Sequence, residues 1–189
     1  MKYTVKAIDR EFTPAEAAQI SGASNDVQRD WRRRGILPER KDSKRSSFSL
    51  TDVIRMTVLR SLSQSGIGLE TADIAASLSV LPVISSLMLW KGAAAFEGDE
   101  LSAAARLRIL DGHVRGASDE DQFVVLPLGA ADSAGVRVKD LRDAEGVMGR
   151  AGAFQALVVD HLSLAQHIIR TAPMPLVRFI VEVTENGES

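Results

Sequence analysis

The sequence predicts an α+β protein with a mainly helical N-terminal half and a small α/β C-terminal half. Helix start signals recur at Thr13, Ser24 and Ser49, each just ahead of residues with helical spacing. Beyond Gly116 the texture changes to short β-branched runs, Phe123 to Leu128 and Val136 to Val138. From Ala153 to Val183 an apolar run, a helical stretch and an alternating run follow one another, which is compatible with a right-handed βαβ crossover.

Each element follows from local chemistry. Tyr3 to Ile8 reads as a short strand. Thr13-Pro14-Ala15-Glu16 is a helix start in which Thr13 caps, Pro14 fits the first helical position and Glu16 completes a capping box. Ser21-Gly22-Ala23-Ser24 ends that helix within two turns. Ser24 then caps a second one, Asn25 to Arg34, which stops at Gly35. Residues 39–47 are polar, basic and aperiodic, as a loop or two-stranded wing would be. Ser49 with Asp52 starts a third helix, whose apolar face is Val53, Met56 and Val58 to Leu62. Gly66-Ile67-Gly68 breaks it, and Leu69-Glu70 opens a further helix that Pro82 is expected to kink or restart. Ser102 to Asp111 reads as another helix, Leu162 to Thr171 as a helix, and Leu176 to Val183 as a strand. The implied division is residues 1–75, a helical linker or dimerisation region over 76–116, and an α/β domain over 117–189.

The composition narrows the function. With 189 residues, 45% apolar and 25% charged, the chain resembles ordinary soluble globular proteins and can bury a core. It has no cysteine, which removes disulfides, thiolate metal sites and cysteine nucleophiles. The N-terminus lacks a signal-peptide layout, and the expected location is the cytoplasm. The seventeen charge-free residues from Ile74 to Trp90 include four serines and Pro82. That is the lower limit for a spanning helix, so a buried or subunit-interface helix is the expectation, with no membrane partner. The net charge of −2 hides an asymmetry: residues 25–60 carry ten basic groups against five acids, and residues 61–189 ten against seventeen. A basic segment on an acidic remainder suits phosphate binding by one region.

Two short helices joined by a tight Gly-Ala-Ser turn are the minimum for presenting one helix to a DNA major groove. The second carries Gln28, Arg29, Arg32, Arg33 and Arg34 within two turns. Val27 and Trp31, four apart, are expected to form its buried stripe, flanked by Arg29, Arg32 and Arg33, with Gln28 beside Arg32. Arginine can read guanine and glutamine adenine, while any of these groups can hold a phosphate. The loop adds Arg40, Lys41, Lys44 and Arg45 for backbone or minor-groove contacts. The candidate DNA-binding set is therefore Ser24, Asn25, Gln28, Arg29, Arg32, Arg33, Arg40, Lys41, Lys44 and Arg45.

The order of these residues resembles the MerR family of bacterial transcription regulators. The matching features are Gly22-Ala23-Ser24, Arg29, Trp31, Gly35-Ile36-Leu37-Pro38, Phe48-Ser49, Asp52-Val53 and Gly66-Ile67-Gly68-Leu69, over about the first 75 residues. The resemblance implies a winged helix-turn-helix that binds double-stranded DNA, in a regulator that acts as a dimer. Three departures stand out. Asp30 occupies a position where the family usually has an aromatic that helps hold the DNA backbone. Ser46 takes the place of the wing arginine, with Arg45 beside it. The 69–96 segment is apolar and interrupted by Pro82, whereas the family has a long dimerisation helix charged along one side. Similar domains occur in phage excisionases and small terminase subunits.

The remaining residues suggest no catalysis. His113, His161 and His167 are scattered, and the last two, six apart, fall on different helix faces, so no metal or cofactor is expected. No nucleophile elbow, phosphate loop or dinucleotide fingerprint occurs. Asp140, Asp143 and Glu145 read as an exposed acidic loop. The expectation is a sequence-specific DNA-binding regulator, not an enzyme, working as a homodimer through the apolar 74–90 region. An effector or protein partner would bind the C-terminal part. The alternatives are a phage-type DNA-architecture or packaging protein, and a protein-binding module built on the same helix-turn-helix.

Overall fold

Short-range capping chemistry sets the N-terminal helices. The computed structural model describes residues 2–38, 47–114, 121–129 and 134–184. Helix α1 (Pro14–Ser21) starts on the expected capping box: Glu16 N–H donates to Thr13 Oγ1, and the Thr13 N–H donates to Glu16 Oε2 at 2.8 Å. Those bonds from Thr13, with help from Arg10, hold the Glu16 carboxyl below its ordinary range. Gly22, at φ 70°, ends α1 in the left-handed conformation that glycine adopts without strain. Helix α2 (Asn25–Arg33) begins at the Ser24 cap. Helix α3 (Leu50–Gln64) begins at a second capping box made by Ser49 and Asp52. Phe12 and Phe48 exchange both backbone hydrogen bonds, at 2.8 and 2.9 Å, which ties the chain entering α1 to the chain entering α3.

Helix α4 (Leu69–Met88) is the long central element. Its length and mean hydropathy of 1.5 would suffice to cross a membrane. Here it lies against α3 and the later helix α7 (His161–Thr171), with Ala72, Ala75, Ala76, Val83 and Leu87 wholly buried. Arg55 of α3 and Asp73 of α4 join the pair at 2.5 Å. Helix α4 runs on through Pro82 without the restart that was one of the two expectations there, and Pro82 is buried.

Strand β1 (Lys2–Asp9) pairs antiparallel with β6 (Val177–Thr184), from Lys2↔Thr184 to Asp9↔Val177. On the other side of β6, β2 (Ala94–Gly98) runs parallel, from Ala94↔Val177 to Gly98↔Val181. Val177, Phe179 and Val181 are buried while Arg178 and Glu182 are exposed, the alternation of a sheet with one covered face. Helix α5 (Ala103–His113) covers that face. His113 sits edge-on to Phe179 at 5.2 Å, Phe179 stacks on Phe96 at 5.0 Å, and His113 Nε2 lies 3.4 Å from Asp9.

The second sheet has the order β4-β3-β5, all antiparallel, from β3 (Phe123–Leu128), β4 (Val136–Val138) and β5 (Gln155–Asp160). Helix α6 (Asp143–Ala151) packs on β3 and β4 over a small separate core of Val125, Val138 and Val147. The α+β class holds, with helices dominating the N-terminal half and strands mixing with helices beyond it.

Strand β1 completes a sheet whose other strands are 94–98 and 177–184, so backbone hydrogen bonds cross the expected bounds at 75 and 116. One core runs from Phe12 and Ile20 through Leu59 and Leu87 to Ile168 and Phe179. The βαβ unit is absent: β5 and β6 belong to different sheets, so α7 links sheets rather than parallel neighbours. Asp140, Asp143 and Glu145 do not form a loop cluster. Asp140 is tied to Arg142, whose charge and N–H groups pull its carboxyl down to about 2. Asp143 and Glu145 lie in the first turn of α6, where the helix dipole favours acids.

Candidate nucleic-acid interface

Helix α2 is mostly polar, so two side chains must fix its orientation. Trp31 is 4% exposed and enters the core, with Val27 half-buried beside it. Gln28 is the second anchor. Its side chain is buried, and its Nε2 group donates to the carbonyl oxygens of Pro14 (3.0 Å) and Ala23 (2.8 Å). These bonds join α2 to the first residue of α1 and to the turn between the helices. Gln28 is therefore not a base reader, as the sequence suggested. Its amide donors are spent on holding the helix-turn-helix together.

With Trp31 inward, a rotation of about 100° per residue sends Arg29 and Arg33 to the opposite side. Their side chains are 75% and 79% exposed. Asn25, one turn before Arg29, is exposed as well. Ser24 is exposed, with its oxygen accepting the Val27 N–H as the helix cap. Arg32 differs from the other two arginines: its guanidinium lies over the Phe48 ring, 4.3 Å from the centroid. Pro14, Asn25, Gln28, Arg29 and Arg32 line a notch of about 180 Å³ between α1 and α2. Arg40, Lys41, Lys44 and Arg45 lie outside the described residues, and so does the expected wing.

Acids temper this surface. Asp30 holds Arg33 at 2.5 Å and Arg34 at 3.1 Å, and Asp26 lies 3.5 Å from Arg29. Exposed pairs of this kind are worth about 0–1 kcal/mol, so a phosphate can take over an arginine at small cost. Asp30, an apparent obstacle to phosphate in the sequence, here orders two arginines of the same helix.

Sequence reasoning missed two participants. Phe48 supplies the platform for Arg32, and nothing local in Arg-Ser-Ser-Phe-Ser announces that. His167 of α7 sits with Nε2 2.7 Å from the Ile20 carbonyl oxygen, which connects the C-terminal part to the end of α1. Their partners lie 16 and 147 residues away in the chain, so neither contact leaves a local pattern.

A braced pair of short helices, with the second presenting arginines outward, defines a helix-turn-helix DNA-binding domain. In agreement, the family model of MerR HTH family regulatory proteins matches residues 12–78. Residues 12–78 are thus similar to the DNA-binding part of MerR HTH family regulatory proteins, which supports a DNA-binding transcription regulator. Comparison of the chain with curated proteins gives no match.

Proposed function

We propose that the chain is a transcription regulator that reads double-stranded DNA sequence-specifically as a homodimer in the cytoplasm, without catalytic activity of its own. The observation that carries this reading is the double anchoring of α2 by Trp31 and Gln28. It leaves Asn25, Arg29 and Arg33 projecting together from the opposite side. The N-terminal end of such a helix fits a major groove, with Arg29 and Asn25 nearest the bases and Arg33 nearest the backbone. One such helix makes few base contacts, and a two-fold pair on a near-palindromic site multiplies them. The C-terminal part is the place for an effector or protein partner.

The dimer surface proposed for the 74–90 segment is limited to what its own core leaves free. The 74–90 segment spends most of its apolar surface on its own core. Among the described residues Ile74, Leu81, Leu89 and Trp90 are the large apolar side chains it leaves exposed.

Fluorescence anisotropy across a salt series tests the proposal, comparing the wild type with Arg29→Ala/Arg33→Ala. Loss of the backbone-facing Arg33 from each protomer removes two phosphate contacts from the dimer and should lower the log–log salt slope by about 2, and with Arg29 also gone the affinity should fall by ~10- to 100-fold. Absence of DNA binding in both proteins at low salt would leave the helix-turn-helix as a protein-docking element. Sedimentation of the free protein as a ring or filament would favour a packaging role instead.

A further inference from the structure

Helix α5 presents two faces to the rest of the molecule. Ala105 and His113 turn to the core and to Phe179. Ala103, Leu107, Leu110 and Val114, spaced i, i+4, i+7 and i+11, form a separate apolar stripe about a third of a turn away.

That stripe borders an open cleft of about 680 Å³, a size ordinary for a ligand site, and all four of its residues line it. Across the cleft stand Met88 of α4, Leu89 and Trp90 just beyond that helix, and Phe96 of β2. Met88 is buried, whereas Leu89 on one side and Leu107 on the other are 73% and 62% exposed. Large apolar side chains gathered at one concavity, rather than scattered singly, mark a binding surface. A rise of about 1.5 Å per residue sets Ala103 and Val114 about 16 Å apart, so the cleft follows the length of α5 and suits a long chain better than a compact ring.

The charged side chains of the cleft are Lys91, Arg106 and Asp111. At about 100° per residue Arg106 and Asp111 fall on opposite flanks of the stripe. Arg106 holds its guanidinium 5.6 Å from the Phe96 ring centroid. Neither Lys91 nor Arg106 has an ion pair among the described residues. Cations outnumber the carboxylate, and Arg106 already rests on an aromatic ring, so the cleft favours an anionic head group there. A second copy placed symmetrically on this face would set one concavity against another and leave it unfilled.

We propose that the cleft binds a medium-chain fatty acid as its carboxylate. The acyl tail lies along Leu107 and Leu110, between them and Met88 and Trp90, and the carboxylate sits at Arg106. The bound acid covers Leu89 and Trp90, two of the large apolar side chains that the 74–90 segment leaves exposed. It therefore withdraws them from the dimer surface, a consequence that rests on the homodimer reading, whereas the site itself does not.

Isothermal titration calorimetry of the full chain with octanoate, decanoate and laurate tests the proposal, together with Trp90 fluorescence. The expected result is one laurate per chain at micromolar Kd, an affinity gain of ~3- to 4-fold per methylene, and a fluorescence change that Trp90→Phe removes. Arg106→Gln should weaken laurate ~5- to 10-fold, and dodecyltrimethylammonium, with the same tail and a cationic head, should bind at least ~10-fold more weakly than laurate. Ala103→Trp, which fills the cleft from an exposed position, should abolish binding. No heat and no Trp90 response up to ~1 mM laurate overturn the proposal, as does equal binding of the cationic amphiphile or binding that persists in Ala103→Trp. Dissociation of a dimer by Leu107→Asp in a protein that ignores laurate would give the face to a second copy and overturn it too. Laurate binding by a protein that ignores DNA would keep this site and sink the regulator reading instead.

Discussion

Helices α2 and α4 solve opposite problems. Helix α4 buries half its residues and orients itself by apolar area spread over five turns, so no single side chain decides its position. Helix α2 has little apolar surface and is held at few points, chiefly Trp31 in the core and Gln28 on two carbonyls, with Val27 and the Arg32–Phe48 contact beside them. The difference shows how a helix can be kept free for a partner: concentrate its anchoring in few residues, and the rest of its surface owes nothing to the fold.

The contrast can be broken most sharply at its anchors. Trp31→Ala should cost about 3–5 kcal/mol, and Leu87→Ala in α4 about 2–5, measured by urea denaturation. Trp31→Ala should remove DNA binding before global unfolding, because Trp31 is the one buried large apolar side chain of α2. Equal loss of both functions with stability would erase the distinction.

Gln28→Ala comes next, at about 1–3 kcal/mol, since it strips the partner from two carbonyls. DNA affinity should fall through loosening of α2, with specificity at each base position unchanged. A changed base preference would restore Gln28 as a reader.

A smaller effect lies at His161, at the start of α7. It is fully buried, its Nδ1 faces the Asp121 carbonyl at 2.8 Å, and its Nε2 is buried with no hydrogen-bond partner among the described residues. Burial pushes its pKa below the usual 6.5, against smaller opposing effects from the Asp121 bond and nearby acids. The unfolded chain therefore binds this proton at higher pH than the folded one. Stability from this group is complete above ~6.5 and declines as pH falls below that towards the folded value. His161→Phe should flatten that part of the pH–stability profile; an unchanged slope would place the acid sensitivity elsewhere. Smallest of all, Arg29→Ala and Arg33→Ala should move stability by no more than about 0.5 kcal/mol while weakening DNA binding.

What the sequence disclosed follows the same line between local and distant causes. The caps at Thr13, Ser24 and Ser49 were legible because donor and acceptor lie three residues apart. Trp31 was legible as core from its spacing to Val27. Gln28 was misread because its acceptors are Pro14 and Ala23, and a glutamine in a basic helix looks like a reader. Strand β2 escaped notice since Ala-Ala-Phe-Glu-Gly becomes a strand only beside β6. Helix α6, with Gly146 and Gly149 inside it, has poor intrinsic propensity and owes its form to packing over Val125. The partner of each strand was the least accessible feature, because alternation reveals a buried face and not which neighbour lies alongside.

The pairing of β1 with β6 has a consequence for synthesis. On a ribosome, β1 emerges first and its only described neighbour in the sheet emerges last among the described elements. The helix-turn-helix can begin to assemble while β1 still waits, its backbone groups bonded to water. Closing that sheet is the step of longest sequence separation, and therefore among the slowest to be rewarded. A nascent chain halted before residue 177 would thus carry helices able to meet DNA on a body not yet closed.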